Sequence, residues 1–335
     1  MILIDALYVN MGGAFQLLKY LLETLGERGI PYFLLADARC VGKIDNVSQV
    51  CYLEATLKNR ELFYRRGIND VISSVFCFGN VPPPVQMDVP VYTYFHNVNM
   101  LTLVNCRDGK QKLLYWLKRL YVQFYKKHSD EWLVQTSNTA NELIKHLGVS
   151  EDKVKLFPFY KLPEFPQKKG DRTDYIFVGE YSGSKGHKEL LEAWKLLHNR
   201  GVEKTLHLTV SMGKKFLNKL QEAVDEGVNI VNHGYVSVEQ LSQLYMKSKA
   251  IIYPSYNESF GLGLVEAMEA GCDVIGADLP YTYAICKPSE VFDPCRVETI
   301  VDAVIRYETG DSKKTELLVS DMIDEMIVRI SKNKL

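Results

Sequence analysis

The chain alternates almost without a break between short runs rich in β-branched and aromatic residues and longer amphipathic stretches. Parallel strands need a crossover of a dozen or more residues between them, usually a helix, so this alternation points to βαβ units on parallel sheets. Ile2–Tyr8 reads as a strand and Asn10-Met11-Gly12-Gly13 as a turn. Ala14–Arg28 reads as a helix with Leu17, Leu18, Leu21, Leu22 and Leu25 at helical spacing. Strands are expected at Pro31–Ala36, Val71–Phe78, Val89–Phe95 and Trp132–Gln135, and a helix at Asn138–Leu147. Prolines at 158, 163 and 166 interrupt Lys155–Gly170, which reads as a linker. A second series follows, with strands at Tyr175–Gly179, Thr205–Val210, Val228–Val231, Ala250–Pro254 and Val274–Ala277. Helices are expected between them at His187–Asn199, Lys214–Glu226, Val238–Lys247 and Leu262–Ala270, and a last one over Lys314–Ile330. The expected organisation is α/β: two Rossmann-like domains, 1–165 and 166–313, with a C-terminal helix in 314–335 that packs back on the first.

At 335 residues the chain is long enough for two such domains. A formal net charge of −1 leaves no global basic field to hold nucleic acid. The seven cysteines, Cys40, Cys51, Cys77, Cys106, Cys272, Cys286 and Cys295, are scattered and form no C-x-x-C, which fits reduced thiols rather than disulfides or a zinc site. No signal peptide is expected, because the chain enters Ile2-Leu3-Ile4 without a basic region. No apolar run approaches the roughly 18 residues of a membrane span. A cytoplasmic protein is the expectation.

Open parallel sheets bind ligands beyond the carboxyl ends of their strands, so the loops there are where chemistry is sought. In Tyr253–Met268 a strand leads through a loop with Gly261 and Gly263 into a helix. That arrangement suits a phosphate or diphosphate, with Glu258 and Glu266 placed to bond hydroxyls of one ligand. The plainer reading makes Glu266 a first-turn acid and Glu258 a solvated one. In Phe177–His187 a strand feeds a glycine-rich turn with Lys185 just before a helix, where a cation opposes the helix dipole but suits an arriving anion. It lacks the Walker A pattern. Gly12 and Gly13 follow the first strand without the third glycine of a dinucleotide fingerprint. His96 stands at the end of a probable strand. Were both sheets to present these edges to one cleft, the four loops would converge.

Taken together, these residues resemble the retaining family-4 glycosyltransferases of GT-B fold. Glu258 and Glu266 stand as E-x7-E in Asn257-Glu258-Ser259-Phe260-Gly261-Leu262…Glu266-Ala267-Met268, with Gly271 and Asp278-Leu279-Pro280 after them. Gly234-Tyr235-Val236-Ser237, Lys185-Gly186, His96 and Gly12-Gly13 fall in the family's order upstream. The likeness extends to transferases that build bacterial surface polysaccharides. It implies retaining transfer from a nucleotide sugar to a glycan or lipid-linked glycan, with no metal and no cofactor. Glu258 then contacts hydroxyls of the donor sugar, and Glu266 the ribose. The backbone of Phe260, Gly261 and Leu262 meets phosphate and sugar, and Val236 the base. His96 lies by the reacting sugar, while Gly12 and Gly13 lie near phosphate and acceptor. The usual proposal for such enzymes is a front-face mechanism in which the leaving diphosphate takes the acceptor's proton. Another GT-B enzyme, an epimerase or phosphorylase, and a non-catalytic transferase-like subunit are the alternatives. An NAD-dependent oxidoreductase lacks its fingerprint here, and the D-x-D of metal-dependent GT-A transferases is absent.

Two features stand apart. Glu180 occupies a position where the family usually has an arginine that pairs with the lysine on the diphosphate; Lys188 or Arg172 are candidate substitutes. Residues 109–129 carry six Lys/Arg and no acid, with Lys112, Arg119 and Lys126 on a face away from Leu113, Leu117, Leu120 and Phe124. Such a helix either packs on the first sheet with its basic face solvated or makes peripheral contact with an anionic membrane.

Overall fold

A computed structural model describes all residues except 46, 48, 67–70, 103–108, 166–171 and 332–335. Cys106 and Lys168-Lys169-Gly170 of the expected linker therefore lie outside the described residues. The chain divides into two units, Met1–Lys161 with Ser320–Leu335, and Leu162–Val319.

The first unit runs β1 (Ile2–Ala6), α1 (Gly12–Glu27), β2 (Tyr32–Asp37), β3 (Val50–Leu53), α2 (Leu57–Arg65), β4 (Ser74–Cys77), β5 (Val91–Phe95), α3 (Asn99–Thr102), α4 (Gly109–Tyr125), β6 (Glu131–Val134), α5 (Ser137–Leu147) and β7 (Val154–Leu156). Its strands form one parallel sheet in the order β3-β2-β1-β4-β5-β6-β7, with Ile4 level with Leu34 and Phe76. Every residue of β1, β4 and β5 is buried, as expected where helices cover both faces.

The second unit runs β8 (Asp174–Phe177), α6 (His187–Asn199), β9 (Leu206–Leu208), α7 (Lys214–Asp225), β10 (Ile230–Asn232), α8 (Val238–Lys247), β11 (Ser248–Tyr253), α9 (Leu262–Glu269), β12 (Asp273–Ala277), α10 (Pro280–Tyr283), β13 (Cys286–Lys287), β14 (Glu290–Phe292), α11 (Val297–Glu308) and β15 (Glu316–Leu317). Its parallel sheet has the order β10-β9-β8-β11-β12-β14, and β13 pairs antiparallel with β15. In both sheets the order reverses beside the first strand, between β1 and β4 and between β8 and β11. Those switch points open the crevices in which such sheets hold ligands.

Three expectations are corrected. The terminal stretch is not one helix: Glu316–Leu317 joins β13, and α12 (Ile323–Ile330) begins only where Ile323, Met326, Ile327 and Ile330 recur at helical spacing. That helix belongs to the first unit, where Ser74 Oγ donates to the Ile330 carbonyl at 2.5 Å and Arg329 Nε to Glu131 at 2.8 Å. The segment from Lys155 is not all linker, because β7 ends at Leu156 and Phe159 is fully buried with its ring 5.1 Å from that of Tyr94. Finally, α4 is turned the opposite way from a helix packed by its leucines. Val122 is buried beside Trp132 and Leu143, and Arg119 donates to the carbonyls of Leu101 at 3.3 Å and His146 at 3.1 Å. Lys126, in the turn after α4, donates to the Leu147 carbonyl at 2.5 Å. Carbonyls at helix C-termini need donors, and these two cations supply them. Leu113, Leu117, Leu120 and Phe124 are left exposed.

Candidate active site

In the second unit the loops after β8 and β11 are joined at the switch point. Gly186 has φ +68°, and a Cβ there would collide with the Pro254 carbonyl, so only glycine lets the two loops close. Tyr256 N–H donates to the Ser184 carbonyl at 2.8 Å. Across this junction Lys185 Nζ lies 2.5 Å from Glu258 Oε1, and the Tyr253 hydroxyl donates to the same oxygen at 3.3 Å. Lys185 also stands over the Tyr253 ring, 5.8 Å from its centroid. Neither charge is solvated freely, with side-chain exposures of 27% and 15%.

Helix α6 starts at Gly186 and α9 at Gly261, both left-handed, and no side chain caps either helix. α1 starts after Met11 without a side-chain cap as well. By contrast, Thr56, Thr136 and Ser237 cap α2, α5 and α8. Helices α7, α10, α11 and α12 are uncapped as well. What marks α1, α6 and α9 is that they follow β1, β8 and β11 at the switch points, where their first-turn N–H groups, which have no intrahelical acceptor, offer donors to an anion. Phe260 is buried beneath the second loop, with Leu262 opening α9.

Glu266, on α9, accepts from the Tyr245 hydroxyl of α8 at 2.9 Å. Burial pushes its carboxyl up to about 7, against the smaller opposing effect of that hydrogen bond. Val236 lies in the loop between β10 and α8. Because the folded state holds this proton more tightly than the unfolded chain, Glu266 lowers stability as pH rises from 4.5 to about 7 and by a constant amount above. Glu266→Gln, which keeps an acceptor for Tyr245, is therefore expected to match the parent near pH 4.5. At pH 8 it should melt several degrees higher, with about 3 kcal/mol as the upper bound for a shift of this size. Melting curves at both pH values check this, and an equal difference at both would refute it.

His187 at the start of α6 donates from Nε2 to the Gly179 carbonyl at 3.1 Å, and burial pushes its imidazole down to about 4. Glu180 is turned onto the loop before α7. One carboxylate oxygen accepts from Ser211 N–H at 3.0 Å and Met212 N–H at 3.1 Å, and the other from the Ser211 hydroxyl. Burial pushes its pKa up, but these bonds outweigh it and leave the group below its ordinary value. Arg172 is no substitute for the missing arginine. It precedes β8, at the opposite end of the strand from Lys185, and donates to the Ala270 carbonyl behind α9. Lys188 is exposed in the first turn of α6.

Gly12, Gly13 and His96 lie in the first unit: the two glycines open α1, where a turn was expected, and His96 follows β5. Strands β1 and β5 flank β4, so their ends stand about 10 Å apart at ordinary strand spacing. His96 Nε2 is 3.0 Å from the Phe78 carbonyl and 3.4 Å from Asn80 Nδ2, and the shorter contact, to an oxygen that can only accept, assigns the proton to Nε2. Burial holds the ring's pKa below its ordinary value, which keeps it neutral with Nδ1 as an acceptor. Asn80 Oδ1 accepts from His96 N–H at 2.7 Å. Among the described residues Asn80 is the one non-glycine with positive φ, at 67°. Asparagine tolerates this conformation, and such strain persists where its surroundings hold it. Sequence reading missed Asn80, Tyr245 and Tyr253. A Gly-Asn pair after a strand signals the first, whereas the tyrosines look like ordinary core residues. No group of three or more His, Cys, Asp or Glu among the described residues is arranged to hold a metal ion.

Residues 160–318 match the family model described as Glycosyl transferases group 1. The second unit is a group 1 glycosyltransferase domain. The chain is 31% identical over 109 residues to the serotype-specific mannosyltransferase WbdA of Escherichia coli, a match covering 32% of this chain and 13% of that protein. It thus spans only about an eighth of that relative's length. Among solved structures, a sucrose-phosphate synthase from Thermosynechococcus elongatus superposes with TM-score 0.69 at 14% identity, over 92% of this chain and 89% of that one. WaaG, a glycosyltransferase involved in lipopolysaccharide biosynthesis, does so with TM-score 0.61 at 15% identity, over 92% and 90%. The fold is GT-B, with one parallel-sheet α/β domain in each unit, and the chain resembles bacterial surface-polysaccharide glycosyltransferases.

Proposed function

We propose that this chain is a retaining glycosyltransferase that moves a sugar from a nucleotide-sugar donor to a glycan or lipid-linked glycan acceptor, without metal or cofactor, in bacterial polysaccharide synthesis. The observation that carries this reading is the Lys185–Glu258 pair at the β8/β11 switch point, between two uncapped helix N-termini, in a group 1 glycosyltransferase domain. An arriving diphosphate draws Lys185 away from Glu258, and the freed carboxylate accepts hydroxyls of the donor sugar. The amides that open α6 and α9 donate to phosphate oxygens and stabilise charge as it develops on the leaving group. Ionised Glu266 accepts the ribose hydroxyls. His96 takes a hydroxyl of the reacting sugar on Nδ1, and Gly12 and Gly13 leave room near phosphate and acceptor. The leaving diphosphate accepts the acceptor's proton, so no separate base is needed. A cytoplasmic location with peripheral membrane contact through 109–129 belongs to the same reading.

Thermal-shift screening against UDP, GDP, dTDP, CMP and their common sugar conjugates, without metal, tests it. A ligand at 100 times its dissociation constant that binds only the folded chain adds about 2.7 kcal/mol. The expected result is a shift with one nucleotide family that disappears in Glu266→Ala. No shift with any of them would reject the donor site, and inverted product stereochemistry by NMR would reject retention.

A further inference from the structure

We propose that Gln135 is a substrate-binding residue whose side-chain amide donates to the sugar hydroxyl that His96 accepts, which rests on the reading of His96 as a contact of the reacting sugar. Gln135 follows β6 and is 4% exposed, and its Nε2 donates to no group among the described residues. An enclosed amide left unpaired costs stability, so such groups are rare in folded proteins and call for an occupant. The backbone here is fixed on both sides. The Val134 carbonyl accepts from Phe157 N–H at 2.8 Å, and Thr136 caps α5 by accepting from Thr139 N–H at 3.1 Å. The side chain is thus carried on a strand-to-helix turn held at both ends, which suits a group that must meet a ligand in one geometry.

The sheet sets this amide beside His96. Strands β5 and β6 run parallel with Phe95 level with Val134, so the next pair along is His96 and Gln135, with backbones about 5 Å apart. Phe95, Trp132 and Val134 share one cluster with Leu143 and Leu147 of α5. By alternation Gln135 leaves the sheet on the other face, with Tyr94 and His96, whose rings lie 6.0 Å apart. Helix α1 covers that face, since the Tyr20 ring lies 6.4 Å from that of Phe159, and Phe159 packs against Tyr94. It starts at the same carboxyl edge with Gly12 and Gly13. His96 Nε2 faces the loop after β4, so Nδ1 faces away from it, and β6 is the neighbour of β5 on that other side. Chemistry then selects the occupant. His96 Nδ1 only accepts and Gln135 Nε2 only donates, so one group that does both joins them. A hydroxyl does; an ionised phosphate, a carboxylate or an ammonium does not.

Gln135→Met, which keeps an unbranched side chain of similar length, tests this in the full chain. The probes are the nucleotide that shifts the parent's melting, from among UDP, GDP, dTDP and CMP, and its sugar conjugate. Without any ligand the variant should melt about 2–4 °C higher, because an apolar group replaces an enclosed donor that has no partner. Affinity for the bare nucleotide should stay within about twofold of the parent, and affinity for the sugar conjugate should fall about tenfold. His96→Ala should weaken the conjugate too, and the two losses should not add, since both side chains hold one hydroxyl. A lower melting temperature in Gln135→Met would overturn the proposal by showing that the amide has a structural partner in the free protein. So would unchanged affinity for the conjugate, an equal loss for nucleotide and conjugate, or fully additive losses with His96→Ala. A parent chain that binds none of the nucleotides would reject the donor-sugar reading itself, and the proposal with it.

Discussion

Lys185→Ala is expected to lower kcat/KM by about 10²–10³, the usual cost of losing one group that stabilises charge developing on a leaving group. The effect should reach the upper end because no arginine joins Lys185 at the position after Gly179 and Arg172 does not replace it. Glu180, where an arginine was expected, is a carboxylate bonded to Ser211 and Met212, and Arg172 is committed to the Ala270 carbonyl. The ammonium is held 2.5 Å from Glu258, so removing it also takes the charged partner from a half-buried carboxylate that accepts from the Tyr253 hydroxyl at 3.3 Å. A double-mutant cycle separates the roles. If Lys185 meets phosphate and Glu258 meets sugar, Glu258→Gln lowers kcat/KM further in the Lys185→Ala background. If Glu258 only positions Lys185, it is silent there. Steady-state kinetics with the donor found by thermal shift decide, and a Lys185→Ala variant within threefold of the parent would sink the assignment.

Arg60→Met is expected to destabilise the first unit by about 3–5 kcal/mol, the range for breaking a buried ion pair from one side. Arg60 and Asp5 are 1% and 2% exposed, with Arg60 Nε donating to Asp5 at 2.8 Å. The other guanidinium nitrogens donate to the carbonyls of Pro82 at 2.8 Å and Val81 at 2.9 Å. The arginine thus pins the loop after β4 that carries Asn80, and through it the backbone of His96. Arg60→Met should therefore raise amide exchange across Ile2–Ala6 and Ser74–Cys77 and leave the second unit's exchange unchanged. Adding Asp5→Asn should recover part of the loss, because no charge is then left buried without a partner. An Arg60→Met variant with parental exchange in these strands would show the pair to be dispensable.

Glu258, the glycine-rich loops and Lys185 were legible because each stands between a strand and a helix, and Glu266 because it lies one turn into the helix that follows, a pattern carried by neighbouring residues. Helix α6 and helix α8 likewise have the ends that local periodicity predicts, at His187–Asn199 and Val238–Lys247. Helix α2 was invisible, since the residues it buries are Arg60 and Tyr64 rather than aliphatics. Strand β3 is four residues long and only half-buried, too short for a period to show.

The sequence by itself determined the two parallel α/β domains and the places along the chain where an anion site forms. Strand and helix periods, glycines at turns and charges at helix starts are local quantities that a linear reading captures. Tertiary structure decided which partners those residues take. It set Lys185 on Glu258 across the β8/β11 junction, turned Glu180 onto the Ser211 loop, and raised the Glu266 pKa by burial beside Tyr245. It also reversed α4, because carbonyls at neighbouring helix ends claimed Arg119 and Lys126 and left the leucines to face outward. Competition among distant groups for a buried donor depends on which chain segments meet, and a pattern of neighbouring residues does not contain that.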